Sequence, residues 1–544
     1  MTSATSITIA RGTRDLDVVL RYANRHGLIA GATGTGKSVS LMLLAEQFSR
    51  HGVPVFVADI KGDLAGLSQP ATPSDKLRNR LKMLGIENTW KPGANPVVFW
   101  DLYGVNGHPL RTTITEMGPI LLARLLELNE VQEGVLNIVF RVADDEGLLL
   151  IDMSDMRAML TYVAENAREI SQKYGLVSNT SIAAVQRSLL SLEDAGGREF
   201  FGEPAFELPE FFRIDPRGRG VINLMSAEQL VLKPRLYSSF LLWLLSELFE
   251  QLPEVGDLEK PRMVFFFDEA HLLFHDAPSA LVQRVEQVVR LIRSKGVGVY
   301  FCTQNPDDVP NNILGQLGHR VQHALRAFTP RDQKAVRSAA ETFVPNPALK
   351  VVDAITALNV GEALVSFLEE AGRPAMVERA WIMTPESRIG VITPEERAAV
   401  RAQSPVGTKY DEPIDRESAF EVLRARAEAP EETAPAETSP AGSGDGWSLN
   451  WPWAKPGERT PSPTRLPPRP GGTRSPRIVS SSTSAPTPRR PPAPKPAPAP
   501  KPAPAPRASN RQGVGETFAK SVVRTVGSSL GRQILRGIFG SVKR

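Results

Sequence analysis

The fold of this chain is decided by a short glycine-rich stretch near its amino terminus, Gly31-Ala32-Thr33-Gly34-Thr35-Gly36-Lys37-Ser38. The stretch matches the pattern G-x-x-x-x-G-K-[ST], and it lies between a predicted strand at residues 27–30 and a predicted helix at residues 39–50. Glycines in such a loop allow successive backbone N–H groups to face a phosphate, and the start of the helix favours that anion. The stretch therefore predicts a phosphate-binding loop, or P-loop.

The loop residues have expected roles in binding ATP and Mg²⁺. Lys37 is expected to bridge the β- and γ-phosphates and to act in catalysis, and Ser38 is expected to ligate Mg²⁺. A glycine-rich turn without a ligand is the alternative, but it gives no packing reason for a Lys-Ser pair at this place. The expected nucleotide-binding residues are Gly31, Ala32, Thr33, Gly34, Thr35, Gly36, Lys37, Ser38 and Val39.

Apolar runs that predict buried strands alternate with helical patterns through the first 400 residues. Residues 54–59 follow the first predicted helix, and two further apolar runs at residues 263–267 and 297–302 flank a helical stretch at residues 280–293. Such alternation is typical of a parallel sheet. We therefore expect an α/β fold with a RecA-like P-loop NTPase core, and extra strands at residues 321–328 and 363–367.

The pattern of composition divides the chain into five expected segments. The stretch between the two groups of strands is mostly helical, the stretch after it is rich in Pro, Ala and Arg, and the last thirty residues regain a helical period. We expect a first part of the ATPase core at residues 1–105, an α-helical insertion at 106–255, a second part of the core at 256–427, a disordered linker at 428–512 and a basic amphipathic helix at 513–544.

Two polar sites follow the later strands. Asp268 and Glu269 come directly after an apolar strand, and Asp268 is expected to hold Mg²⁺ while Glu269 polarises the attacking water. Adjacent carboxylates that cap the following helix are the alternative. Gln304 follows the next strand and is the expected sensor of the γ-phosphate, with an ordinary turn residue as its alternative.

With these three motifs, the sequence resembles the HerA/FtsK superfamily of ring-forming P-loop ATPases, and within it a bacterial HerA-like subgroup of undetermined function. The similarity also includes residues 59–64, 294–298 and the closing segment at 513–540. It implies an ATP hydrolase that works as a homo-hexamer, with an arginine of one subunit completing the site of its neighbour. Arg293 is at the corresponding place and Arg290 is the second choice. A solvated cation at a helix end is the alternative.

The resemblance implies a DNA translocase or helicase-like motor. HerA itself has a small β-barrel ahead of its ATPase core, whereas about thirty residues precede Gly31 here, too few for such a barrel. The alternative is an assembly or secretion-coupled ATPase that acts on a protein or membrane partner through the basic tail. A nucleotide-dependent switch without turnover is a third class, which would not need Glu269.

The charge of the chain is divided between its two ends. Residues 455–544 contain 18 basic and 2 acidic residues, a charge of +16, which leaves −12 for residues 1–454. The tail is therefore the expected contact for an anionic membrane or a protein, and the acidic body gives no support for a general DNA-binding surface. The expected pore residues for DNA are Arg111, Arg187, Arg198, Arg217 and Arg219.

The remaining composition bears on compartment and on metals. Cys302 is the single cysteine, so a cysteine-based metal cluster is excluded and no structural metal is expected. The first residues lack the pattern of a secretion signal, and no long apolar run predicts a membrane span. We expect a cytoplasmic protein, peripheral at the inner membrane face if the tail binds lipid.

Overall fold

A computed structural model describes residues 5–274 and 279–428. The predicted linker at residues 428–512 lies outside the described residues except for Glu428, and the predicted terminal helix at 513–544 lies wholly outside them. Within the described ranges, none of the helices combines the length and the apolar character needed to cross a bilayer.

The described residues contain one twelve-stranded sheet, and most of its strands are buried along their whole length. In chain order the strands are β1 (Ser6–Arg11), β2 (Asp15–Val19), β3 (Gly27–Ala30), β4 (Val55–Asp59), β5 (Val97–Asp101), β6 (His108–Pro109), β7 (Ile222–Ser226), β8 (Met263–Phe267), β9 (Val297–Thr303), β10 (His319–Gln322), β11 (Glu362–Ser366) and β12 (Glu378–Ile382).

The order of the strands in the sheet is β2-β1-β12-β11-β10-β3-β9-β8-β4-β7-β5-β6. The eight strands from β10 to β6 are parallel, and the four at the other end are added in antiparallel fashion. The predicted α/β fold with a RecA-like parallel core is confirmed. The extra strand predicted at residues 363–367 is confirmed as β11, whereas the antiparallel pairing and the strands β1, β2 and β12 were not predicted.

Helices connect the parallel strands and form a separate helical layer in the described chain. They are α1 (Lys37–Arg50), α2 (Asp75–Leu84), α3 (Ile114–Leu125), α4 (Glu130–Glu146), α5 (Met153–Glu165), α6 (Ala167–Tyr174), α7 (Asn179–Leu192), α8 (Arg198–Phe200), α9 (Pro234–Gln251), α10 (Ser279–Ile292), α11 (Asn311–Leu314), α12 (Pro330–Glu341), α13 (Val351–Thr356), α14 (Pro394–Ala402) and α15 (Ala419–Glu428). Within the stretch read as helical, 106–255, strand β7 returns to the sheet between β4 and β5.

The central parallel strands β4 and β8 are nearly continuous apolar runs because both of their faces are covered. Phe56 and Phe265 point into the core that includes the helices between β6 and β8. Val55 and Val264, their neighbours in the chain, point into the core built on α1. Successive side chains of a strand alternate between faces, so each strand must be apolar throughout to bury both.

Strand β10 differs from the prediction of a strand at residues 321–328, since it ends at Gln322. Its parallel partner β3 ends at Ala30, where the glycine-rich loop leaves the sheet. The parallel pairing of β10 with β3 therefore stops there. Two more backbone contacts keep the chain beside the loop: His323 N donates to Ala30 O at 2.7 Å, and Ala32 N donates to Ala324 O at 2.8 Å.

The register of the parallel strands brings their carboxyl ends to one edge of the sheet. Ala30 pairs with Thr303, and Phe267 pairs with both Phe301 and Ala58. The segments that follow β3, β4, β8 and β9 therefore leave the sheet at the same edge, side by side. Crevices at this edge are where open α/β sheets bind ligands.

Candidate active site

The P-loop leaves β3 at Gly31 and enters α1 at Lys37. Gly34 and Gly36 have φ angles of 79° and 117°, a region that other residues rarely adopt, so both turns of the loop require glycine. Of the predicted nucleotide-binding residues, the structure buries Gly31 and Lys37, half-buries Ala32, Thr35, Gly36, Ser38 and Val39, and exposes Thr33 and Gly34.

Lys37 lies at the first position of α1, where the helix has unpaired N–H groups. Its side chain is only 6% exposed, and Nζ donates to the carbonyl of Ala32 at 3.3 Å, a carbonyl that also accepts from Thr35 Oγ1 at 2.7 Å. The field of a helix start repels a cation and attracts an anion. A buried ammonium at this place is suited to binding a phosphate.

His323 lies beneath the P-loop, which sequence reasoning did not anticipate. A Cβ atom on Gly31 would be 2.5 Å from Cβ of His323, so the loop needs glycine to pass over this residue. The ring is buried, with Nε2 2.8 Å from Ser40 Oγ and Nδ1 2.9 Å from the carbonyl of Glu362. Sequence alone could not pair this histidine with the loop, since Ser40 and His323 are 283 residues apart.

Asp268 follows β8 directly and is 2% exposed. Burial raises the pKa of its carboxyl, and the charge of Lys61 opposes this rise. Among the described residues, its Oδ2 atom is buried and has no hydrogen-bond partner. An unpaired buried carboxylate oxygen is costly unless a cation or donor satisfies it. Asp268 and the Ser38 hydroxyl therefore fit the oxygen ligands that Mg²⁺ takes in P-loop sites.

Glu269 is buried, and its backbone has φ 47° and ψ 50°, a left-handed conformation that is uncommon for residues other than glycine. Burial acts to raise the pKa of its carboxyl, but the hydrogen bond from Lys61 and the charges of Lys61 and Lys37 outweigh burial and lower it. Strained backbone of this kind is concentrated at functional sites. Glu269 is thus an ionised, desolvated carboxylate at the same edge as the P-loop.

Gln304 follows β9, and the structure brings it to Glu269. Its Nε2 atom is 3.4 Å from Glu269 Oε2, while the residue as a whole is exposed. Asp308 holds the turn after the strand, since its Oδ2 accepts from Thr303 Oγ1 at 2.6 Å and from Asn305 N at 3.0 Å. Two of the predicted catalytic side chains, which are 35 residues apart in sequence, are therefore neighbours in space.

Lys61 completes this group and was not predicted as a site residue. It follows β4, and its ammonium pairs with Glu269 Oε1 although the two residues are 208 positions apart. Asp59, at the end of β4, is buried, and burial together with the charges of Asp63 and Asp268 raises its pKa to about 7. The sequence signals were their place at the end of an apolar strand and their inclusion in residues 59–64 of the resemblance, neither of which indicated the contact of Lys61 with Glu269.

Arg293 lies at the opposite edge of the sheet from these groups. It precedes β9, whose first residue Val297 pairs with Met263 at the start of β8, whereas Asp268 follows the end of β8. The length of β9 corresponds to about 20 Å. Arg293 and Arg290 are both exposed, so the structure does not bring either arginine to the site of its own chain.

The predicted pore arginines are distributed over the helical layer and its loops. Arg111 donates to the carbonyl of Tyr410 at 3.0 Å, Arg217 pairs with Asp215 at 2.9 Å, and Arg198 pairs with Glu193. These contacts are within one chain and leave the pore assignment a prediction.

Two curated proteins are similar to parts of the chain. It is 28% identical over 99 residues to the DNA double-strand break repair helicase HerA of Sulfurisphaera tokodaii, which covers 18% of this chain and 19% of that protein. It is 32% identical over 113 residues to the probable helicase MJ1565 of Methanocaldococcus jannaschii, covering 20% of each. The chain thus spans about a fifth of the length of these relatives.

Among solved structures, the bacterial conjugative coupling protein TrwBdeltaN70, in its unbound monoclinic form, is similar at 15% identity with a TM-score of 0.46. The match covers 71% of this chain and 96% of that one.

The comparison that extends over most of the sequence is with a protein family. The profile described as helicase HerA-like C-terminal matches residues 6–465 and 491–544, which include the P-loop and the residues that follow β4, β8 and β9. The resemblance read from the motifs is confirmed: the chain belongs to the helicase HerA-like C-terminal family of P-loop ATPases.

Proposed function

We propose that the chain is an ATP-hydrolysing ring ATPase of the HerA type that acts as a motor on DNA. The observation that carries the proposal is the meeting of the P-loop with Asp268, Glu269 and Gln304 at the carboxyl edge of the parallel strands. A P-loop alone is sufficient to bind a nucleotide. The buried carboxylate beside a polar amide is what hydrolysis additionally requires.

The residues present fit the binding of ATP with Mg²⁺. The backbone of residues 31–39 and the ammonium of Lys37 would hold the phosphates. Ser38 and Asp268 would hold Mg²⁺, and the metal, when bound, neutralises charge on the β- and γ-phosphates. The buried Oδ2 of Asp268 would then gain the partner that it lacks among the described residues.

Glu269 and Gln304 would act on the water that attacks the γ-phosphate. A bond forms between the water oxygen and the γ-phosphorus, and the bond from that phosphorus to the β–γ bridging oxygen breaks. One proton of the water stays on the phosphate and the other is released to solvent, so ADP and inorganic phosphate are the products. Glu269 would accept a hydrogen bond from the water and so orient it. Gln304, whose Nε2 atom is 3.4 Å from Glu269 Oε2, would contact the γ-phosphate and sense whether it is present.

An arginine supplied by a neighbouring subunit would complete the site in a homo-hexamer. Arg293 is exposed and lies at the far edge of its own sheet, which suits a group that acts on another copy of the chain. A guanidinium of this kind stabilises charge on the transferred phosphoryl group, so hydrolysis would depend on assembly.

The motor function is tested by measuring ATP turnover of the purified chain in low salt while duplex and single-stranded DNA are titrated, with the mass determined by light scattering. A DNA motor is expected to form a hexamer and to hydrolyse ATP several-fold faster with DNA. A hexamer whose turnover stays flat over the whole DNA range would contradict a DNA motor and leave the ATPase itself standing.

The second candidate is an assembly or secretion-coupled ATPase, and the charge distribution favours it. The +16 tail and the −12 body are oppositely charged, and a basic tail is attracted to anionic lipid or to an acidic protein. This function would place a cytoplasmic protein at the inner membrane face. Flotation with anionic liposomes of the full chain and of a chain truncated after Ala427 tests it, and no lipid binding by either would remove the membrane version.

A further inference from the structure

The two carboxylate oxygens of Glu269 have different partners. Oε1 is paired with the ammonium of Lys61, whereas Oε2 is 3.4 Å from Gln304 Nε2 and 3.3 Å from His271 Nδ1. The first contact is a charge-assisted hydrogen bond, whereas the other two distances are long for a hydrogen bond. A water molecule that seeks a carboxylate acceptor therefore meets less competition at Oε2 than at Oε1.

The backbone that carries Lys61 is held in place by the end of its own strand. The carboxylate of Asp59 accepts from the backbone N–H groups of Lys61 at 3.2 Å, Gly62 at 2.8 Å and Leu64 at 3.1 Å. Gly62 has φ 72°, a backbone conformation that favours glycine. The three hydrogen bonds to Asp59 therefore fix the backbone of the loop after β4. They also fix the position from which the side chain of Lys61 extends.

The burial of the two partners is unequal. The side chain of Lys61 is 43% exposed, and that of Glu269 is 5% exposed. Exposed ion pairs contribute little, because water competes for both partners. Here the acceptor is desolvated, so removal of the ammonium would leave the buried carboxylate free to turn and without its strongest donor.

We infer that Lys61 is a positioning residue of the hydrolytic site, which holds Oε1 of Glu269 and thereby presents Oε2, on the side of Gln304, to the attacking water. The structure gives the ammonium of Lys61 a contact with Glu269, so Lys61 would act on the reaction through Glu269. This inference rests on the proposed function, since it assigns a role to Lys61 only if Glu269 acts on that water.

The test compares Lys61→Met, which removes the charge but keeps much of the length, with Lys61→Arg, which keeps the charge. Lys76→Met, at an exposed lysine of α2, is the matched control. Steady-state ATP turnover and the binding of a non-hydrolysable ATP analogue are measured for each full-length protein. We expect Lys61→Met to lower kcat by about 10-fold to 100-fold, since one hydrogen bond to a charged group is lost.

In the same experiment, KM and analogue binding of Lys61→Met should stay within about threefold of the wild type, because only the orientation of Glu269 changes. Lys61→Arg should recover most of kcat, and Lys76→Met should match the wild type. A wild-type or higher kcat for Lys61→Met would overturn the inference. So would an equal loss of analogue binding and thermal stability, which would indicate a merely structural ion pair.

The variant Glu269→Gln distinguishes a failure of the proposed ATP hydrolysis from a failure of the positioning role of Lys61. If the wild type and Glu269→Gln hydrolyse ATP equally, the proposed function fails and the role of Lys61 fails with it. If Glu269→Gln is inactive while Lys61→Met retains the kcat of the wild type, only the role of Lys61 fails.

Discussion

The imidazole of His323 and the hydroxyl of Ser40 are 2.8 Å apart beneath the P-loop, and this contact ties the strand next to β3 to the first helix of the fold. The other ring nitrogen lies 2.9 Å from the carbonyl of Glu362, so Nδ1 donates and Nε2 accepts from the hydroxyl. The shape of the phosphate-binding loop therefore depends on a buried histidine whose ring is held by Ser40 and Glu362.

Replacement of this histidine is the first prediction. His323→Ala leaves a cavity under Gly31 and the buried Ser40 hydroxyl without its partner, so the free energy of unfolding should fall by about 2–4 kcal/mol. His51→Ala is the control, since His51 is half-buried and its ring contacts Gln47 O, one helix turn earlier, at 2.8 Å. Urea unfolding measures both, and equal losses for the two variants would contradict the supporting role of His323.

The glycine before α1 gives a second prediction. Gly36→Ala would force a side chain into φ 117° and place its Cβ 3.3 Å from His323 Cε1, so stability should fall by about 1–3 kcal/mol and ATP binding should weaken. Gly134→Ala is the matched control, because Gly134 is inside α4 with open space around it. That control should be stabilised by about 0.5–1 kcal/mol. Thermal unfolding and the binding of a fluorescent ATP analogue are measured for both variants. Similar effects of the two substitutions would contradict a strained loop.

The third prediction concerns acid stability and His26. Burial, with a smaller contribution from the charge of Arg293, lowers the pKa of His26 to about 4. Its Nδ1 accepts from Val299 N at 3.0 Å and its Nε2 contacts Val289 O at 2.8 Å. Protonation of Nδ1 would therefore place its N–H group against the N–H group of Val299, and that hydrogen bond would be lost.

Because the unfolded histidine has a pKa near 6.5, the unfolded state binds more protons than the folded state between about pH 6.5 and 4. The free energy of unfolding should therefore fall as the pH is lowered through this window, with at most about 1.4 kcal/mol per pH unit due to His26. His26→Asn keeps a residue that tolerates φ 57° but cannot titrate. Its stability curve should be flatter than that of the wild type, and parallel curves would rule out the titration of His26 as a cause.

The fourth prediction tests the arginine of the neighbouring subunit. Arg293→Ala should bind ATP normally but lose turnover, because its guanidinium acts on another copy of the chain. Mixed with Glu269→Gln subunits, it should regain part of the activity, since some sites then combine an intact Glu269 with an intact Arg293. Hexamers that form in the mixture without any recovery would show that Arg293 has been misassigned, and Arg290→Ala would be tested next.

Four strands of the parallel core, β3, β4, β8 and β9, could be predicted from sequence because each is a nearly continuous apolar run. Gly27–Ala30 has the bounds that were predicted, and Met263–Phe267 does also. Strand β7 was missed because its five residues lie in a region of strong helical pattern, and only their place between β4 and β5 makes them a strand. Of the antiparallel strands, β11 was predicted at residues 363–367, whereas β1, β2 and β12 were missed because their pairing joins distant segments, such as Arg11 with Trp381.

Residues of the candidate site could be predicted where they belong to a short sequence motif that directly follows a predicted strand. Lys37, Asp268, Glu269 and Gln304 all belong to this class. Lys61 lies in the segment 59–64 of the resemblance, but its partner is 208 residues away and that of His323 is 283 residues away, so no local pattern indicates either contact. Burial and the orientation of side chains, which decide both roles, are properties of the folded chain alone.

The central claim is that this edge of the sheet hydrolyses ATP with Glu269 as the residue that orients water, and single-turnover hydrolysis by Glu269→Gln tests it most directly. The exchange removes the charge and keeps the shape, so the variant should bind ATP with the affinity of the wild type and hydrolyse it at least about 100-fold more slowly. A variant that binds ATP and hydrolyses it at the rate of the wild type would contradict the account.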